Sequence, residues 1–144
     1  MKSILKLSQV FLVGWLLNLL WENIHVFLYK SYRGIPFAEM GQVEKFTILL
    51  QASIFDGTFI VIAILSGAVL SLLFKPQKRE LITISFAIGA AISFAIGLEQ
   101  YALETGRWMY NDLMPIIPFS NVGLSPTIQL AITSYIAYRS AWRS

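Results

Sequence analysis

The chain has 144 residues, 56% of them hydrophobic and only 13% charged, where soluble domains carry roughly a quarter charged residues. That composition points to one integral membrane domain. The absence of cysteine excludes disulfides, thiolate metal sites and cysteine nucleophiles, and the single histidine removes sites that need two imidazoles. A net charge of +3 without a basic patch interleaved with aromatics gives no nucleic-acid signal.

Crossing a bilayer takes roughly 17–25 apolar residues, and four segments qualify, at 4–29, 46–74, 81–104 and 126–142. The expectation is an all-α integral membrane four-helix bundle, with residues 1–144 forming a single transmembrane domain. Lys2 and Lys6 ahead of an apolar run would suit a secretory leader. The run, however, continues past the usual ~7–15 residues and lacks a small-x-small cleavage site, so a retained span is expected.

The first segment contains Asn18-Leu19-Leu20-Trp21-Glu22-Asn23-Ile24-His25. On a helix Asn18, Glu22, His25 and Tyr29 follow i, i+4, i+7, i+11 and draw one polar stripe down a face otherwise made of Leu, Val, Ile and Phe. Charged and imidazole groups are costly in lipid, so this stripe faces protein or water and marks a functional suspect. The next connection, Ser31 to Lys45, is broken by Gly34, Pro36 and Gly41. In the second segment Asp56 stands with no adjacent cation, and so is either protonated or paired with His25 or an arginine. The short Lys75-Pro76-Gln77-Lys78-Arg79-Glu80 loop makes the second and third helices an antiparallel hairpin.

The third segment carries Gly89, Ser93 and Gly97 at steps of four, a face suited to close packing on a bundle neighbour or on a second copy of the chain. Near its end Glu99 and Glu104 lie about 140° apart around the helix, so only one of them points squarely at a single cavity. Glu104, beside Thr105-Gly106, also fits an interfacial helix end, and Arg107 is a partner for either carboxylate. The connection from Thr105 to Ser125 holds Trp108, Tyr110, Met114, Ile116, Ile117 and Phe119 and is expected to lie at the interface as a lid or re-entrant segment. Trp21, Trp108 and Tyr110 suit interface anchors or packing more readily than ligand contacts. Pro126 after Ser125 starts the fourth and shortest segment, which contains Gln129.

With the N-terminus inside, the inner side holds seven Lys and Arg (Lys2, Lys6, Lys75, Lys78, Arg79, Arg139, Arg143) and the outer side four (Lys30, Arg33, Lys45, Arg107). Both termini are therefore expected in the cytoplasm. At about 1.5 Å of rise per residue, Glu22 lies roughly 10 Å below the outer surface, His25 roughly 6 Å, Asp56 roughly 15 Å, Glu99 roughly 8 Å with Gln100 slightly less, and Gln129 about 5 Å. The inner halves are almost purely apolar. This one-sidedness predicts a polar cavity open to the outer leaflet and argues against a pore or pump, which needs polar groups through the whole thickness.

Carboxyl groups among apolar atoms can stay protonated and act as general acids, and a second, ionised carboxylate stabilises a developing cation. Aromatic rings add cation–π stabilisation. Such a set suits proton-initiated isomerisation or cyclisation of an isoprenoid or other lipid. With no glycine-rich phosphate loop and no nucleophile motif, no cofactor or metal is expected. The candidate catalytic residues are Glu22, Asp56 and Glu99, and the candidate binding residues are Asn18, Trp21, His25, Gln100, Glu104, Arg107, Trp108, Tyr110 and Gln129. In this reading His25 orients one of the acids.

Asn18-Leu19-Leu20-Trp21-Glu22 resembles the Asn-x-x-Trp-Glu element of the integral-membrane terpene cyclases of fungal meroterpenoid pathways. That resemblance implies Glu22 as the substrate-protonating acid, although those enzymes have about seven helices and their second acidic position has no assured counterpart in Asp56 or Glu99. Glu99, Glu104-Thr105-Gly106-Arg107-Trp108-Met109-Tyr110, Met114-Pro115, Pro118 and Val122-Gly123-Leu124-Ser125-Pro126 with Gln129 resemble small bacterial four-helix membrane proteins of unassigned function. This second resemblance implies a multi-pass protein of a bacterial or archaeal cell membrane and carries no activity with it. Three readings follow: an acid/base isomerase or cyclase whose partner is a membrane lipid or isoprenoid, a transport component binding an ion, proton or lipid, and a structural subunit glued by its polar stripe.

Overall fold

A computed structural model describes residues 2–142, with side chains from Ile4 to Trp142. The side chain of Lys2 and all of Arg143, both counted in the orientation argument, lie outside the described residues. The order of elements is α1 (Lys2–His25), a 3-10 turn (Val26–Leu28), β1 (Tyr29–Tyr32), β2 (Ile35–Pro36), α2 (Gln42–Ser71), a second 3-10 turn (Pro76–Lys78), α3 (Arg79–Glu104), β3 (Trp108–Tyr110) and α4 (Leu124–Trp142). α1 packs on α2 and α4, and α3 packs on the same two from the other side. The helices thus close into a ring, with α2 and α4 touching across its centre.

Three helical stretches are long and apolar enough to cross a membrane: Ile4–Leu28, Gln42–Ser71 and Pro76–Glu104. α4 is helical as expected but is not one of them. Its 19 residues include the buried Thr127, Gln129, Thr133 and Ser134, polar groups turned toward its neighbours.

The chain is mostly helical with four helices, as expected, and adds a small sheet that an all-α reading leaves out. β1, β2 and β3 form a small antiparallel sheet in the order β2-β1-β3. Helix α1 stops at His25, short of the expected Tyr29, because Tyr29 and Tyr32 pair across β1 and β3 with Tyr110 and Trp108, and aromatic pairs favour a pleated surface. Tyr32 pairs with Ile35 across a two-residue turn in which Arg33 (φ 50°) and Gly34 (φ 79°) are both left-handed, as a type I′ hairpin requires. The lid expected over 108–119 is therefore half of a roof, and the strand after α1 supplies the rest.

Of the two uses expected for the small-residue face, packing on a bundle neighbour is not found. Gly89, Ser93 and Gly97 are exposed, and a Cβ at either glycine would meet nothing within 4 Å, so this stripe does not pack inside the bundle. Ala87, Ala91 and Ala95 do that work at 2%, 0% and 4% exposure. The close approach of α2 to α3 occurs instead at Gly67, where a Cβ would sit 2.7 Å from the Thr83 carbonyl oxygen. The core proper is Val10, Ile60, Ile64, Ala87, Ala91, Ala137 and their neighbours, at the end of the bundle opposite the sheet.

Candidate functional site

Under the sheet, between the four helices, lies a cavity of about 350 Å3 whose lining includes Glu22, Asp56, Glu99, Gln129, Tyr29, Tyr32, Phe55, Arg107 and Trp108. Each helix contributes. The i, i+4 spacing of Asn18 and Glu22 points both side chains toward α4, where Gln129 and Thr133 repeat the same spacing and meet them.

Gln129 is the centre of one polar group. Its Nε2 lies 3.0 Å from Asn18 Oδ1, 2.9 Å from Glu22 Oε1 and 3.4 Å from Asp56 Oδ2. An amide nitrogen carries two hydrogens, so three acceptors compete for two protons. Behind it Asn18 and Thr133 are tied to each other and to helix backbone. Asn18 Nδ2 donates to the Gly14 carbonyl at 2.8 Å and to Thr133 Oγ1 at 3.2 Å, and Thr133 Oγ1 donates to the main-chain carbonyl of Gln129 at 2.9 Å. Asn18, Gln129 and Thr133 are 0%, 3% and 2% exposed, so these bonds replace water that cannot enter.

Glu99 is the centre of the other group. The roof aims three donors at it: Tyr29 hydroxyl at 3.4 Å, Trp108 Nε1 at 3.1 Å, and the Tyr110 hydroxyl. The Tyr110 oxygen in turn accepts the Gly123 amide at 3.0 Å. Burial, reinforced by the nearby Glu99, pushes the phenols of Tyr29 and Tyr110 above the ordinary tyrosine range, so both remain protonated donors.

The remaining candidate residues divide. Arg107 lines the cavity but pairs with neither Glu99 nor Glu104; among the described residues the only ion pair joins Arg139 to Glu80. Glu104 and Gln100 are exposed and stand outside the cavity lining, which settles the choice between the two glutamates in favour of Glu99. Trp21 does not line the cavity, and its buried indole nitrogen has no partner. His25 orients no acid: both ring nitrogens are buried without a partner, and the ring meets Tyr29 edge-on at 5.1 Å. Asp56 accordingly pairs with neither His25 nor an arginine but with Gln129.

Sequence reasoning passed over Thr133, Tyr32 and Phe55, and it placed Tyr29 on the polar stripe without making it part of the site. The i, i+4 step from Gln129 to Thr133 was the available signal for the first. No group of three or more metal-binding side chains occurs among the described residues. Comparison with protein-family models, curated proteins and solved structures gives no match for this chain.

Proposed function

We propose that the chain is an integral membrane acid/base enzyme, with both termini on the cytoplasmic side, that isomerises or cyclises an apolar isoprenoid or lipid. The observation that carries this reading is the convergence of three carboxyl groups from three different helices on one aromatic-lined cavity that holds a single unpaired cation at its edge. The Asn-x-x-Trp-Glu resemblance at residues 18–22 points the same way.

In this mechanism one of Glu22 and Asp56 carries the proton that the Gln129 amide cannot supply to all its acceptors. That proton adds to an alkene carbon of the substrate and leaves a carbocation. Tyr29, Tyr32, Phe55 and Trp108 line the cavity and supply aromatic π-systems near the cation. Glu99, surrounded by three donors, serves as the fixed acceptor. It withdraws a proton from the carbon beside the cation, so the double bond returns in a new place or a ring closes, with no change of oxidation state.

Native mass spectrometry with lipid extraction tests the reading. Wild-type protein is expected to carry an isoprenoid or lipid that changes on incubation, and Glu22→Gln to carry it unchanged. Equal stability of both proteins with nothing retained by either would exclude the lipid site, and proton flux in liposomes would then be the measurement that examines ion handling.

A further inference from the structure

The mouth of the cavity is chemically unlike its floor. Resting on the acid/base reading above, we propose that the substrate is amphipathic, an apolar chain ending in a phosphate or diphosphate, and that Arg107 and Arg33 hold that head group at the rim.

Tyr32 and Trp108 are direct cross-strand partners in β1 and β3, and both line the cavity. The next residue outward on each strand is an arginine. The Arg33 guanidinium sits 5.3 Å from the Tyr32 ring centre and that of Arg107 5.9 Å from the Trp108 ring centre, so each rests on a ring that forms the cavity wall. Their backbones are joined, since the Arg33 amide donates to the Arg107 carbonyl at 2.7 Å, and the Arg107 amide is anchored to the Ala102 carbonyl at 2.8 Å. The two backbones are thereby tied into one frame, with Arg107 on the cavity lining and the exposed Arg33 beside it on the hairpin turn. Arg33 occupies a left-handed backbone position that an arginine adopts at a cost, one that asparagine or glycine would relieve.

Among the described residues neither cation has an ion-pair partner. Glu104 lies three residues before Arg107 and is exposed, yet no ion pair forms with it, and Arg33 has none either. Unpaired guanidinium groups in fork geometry are suited to bidentate phosphate binding. The cavity below is at the small end of the ~300–1,000 Å3 typical of ligand sites and suits a single chain. A head group at the rim would lower the chain's far end toward Glu22 and Asp56.

The test is equilibrium binding of labelled farnesyl diphosphate and farnesol, which share one chain and differ in the head group, to the full chain in phosphatidylcholine nanodiscs. Wild type is expected to favour the diphosphate ~10-fold or more, and Arg107→Gln and Arg33→Gln each to erode that preference while leaving farnesol binding unchanged. Arg107→Lys should restore part of it. Displacement of the diphosphate by dioleoyl phosphatidic acid would identify a membrane lipid as the source of the phosphate; failure of that lipid to compete would identify a prenyl phosphate. Equal binding of both probes, or a preference that survives both Arg→Gln changes, overturns the head-group site. Glu22→Gln separates the two proposals. Lost turnover in that variant with no diphosphate preference in wild type sinks the head-group site alone; a preference with turnover intact sinks the acid/base reading alone.

Discussion

The two halves of the bundle are built on opposite terms. Between Glu22, Asp56 and Glu99 at one end and Lys6, Lys75, Glu80 and Arg139 at the other, no helix carries a charged residue, and the space is filled by Val10, Ile60, Ile64 and the Ala87-Ala91 row. In the other half a cavity replaces packing, and three carboxyl groups face it. Apolar packing of small residues brings helices close without specifying chemistry, while the polar half trades packing for donors and acceptors that fit only one arrangement. The packed half therefore positions the polar half.

Four measurements can break or sharpen that contrast, beginning with the largest effect. On the acid/base reading, Glu22→Gln and Glu99→Gln should each lower turnover by ~10²–10⁴-fold with the fold retained, seen by product analysis beside circular dichroism. In the packed half the damage should be structural. Gly67→Leu drives a side chain into the Thr83 carbonyl and should cost about 1–3 kcal/mol or more in thermal unfolding, whereas Gly89→Leu, with open space around it, should leave the monomer's midpoint unchanged. Gln129→Leu, on the boundary between the halves, strips Asn18, Glu22 and Asp56 of their shared donor; a loss of ~1–3 kcal/mol in stability is expected.

The smallest effect concerns pH. Tyr29 and Tyr110 should stay silent near pH ~10 in an ultraviolet titration of folded protein and should titrate there in denaturant. Because the folded state keeps protons that the unfolded phenols release, their contribution to stability is full below pH ~10 and declines above it. A folded protein in which Tyr29 and Tyr110 titrate as they do in denaturant would refute the buried clamp on Glu99.

Much of this arrangement was legible in the sequence. The depth of Glu22, Asp56, Glu99 and Gln129 along their segments follows from rise per residue alone, and all four line one cavity. What escaped depended on partners far along the chain. β1 and β3 are four and three residues long and pair Tyr29 with Tyr110, so no local periodicity announces them. The choice between small-residue stripes was ambiguous for a different reason. Gly89-Ser93-Gly97 and Ala87-Ala91-Ala95 repeat at the same step and lie about 200° apart on α3, and spacing cannot say which side turns inward. His25 looked like a ligand because it was polar within an apolar run; its burial against Tyr29 is a matter of packing that the run does not encode.

The bonds from Gln129 and Thr133 to Glu22 and Asn18 join the last helix to the first across 107 and 115 residues of chain. During synthesis α1, α2 and α3 are made before their polar partners exist, so Asn18, Glu22 and Asp56 wait without the amide that satisfies them. α4, which lacks the apolar composition of its neighbours, is joined to the ring by bonds to those groups. The same α4 residues that close the helix ring complete the cavity, so a chain that stops before residue 124 has the acids but lacks Gln129 and Thr133.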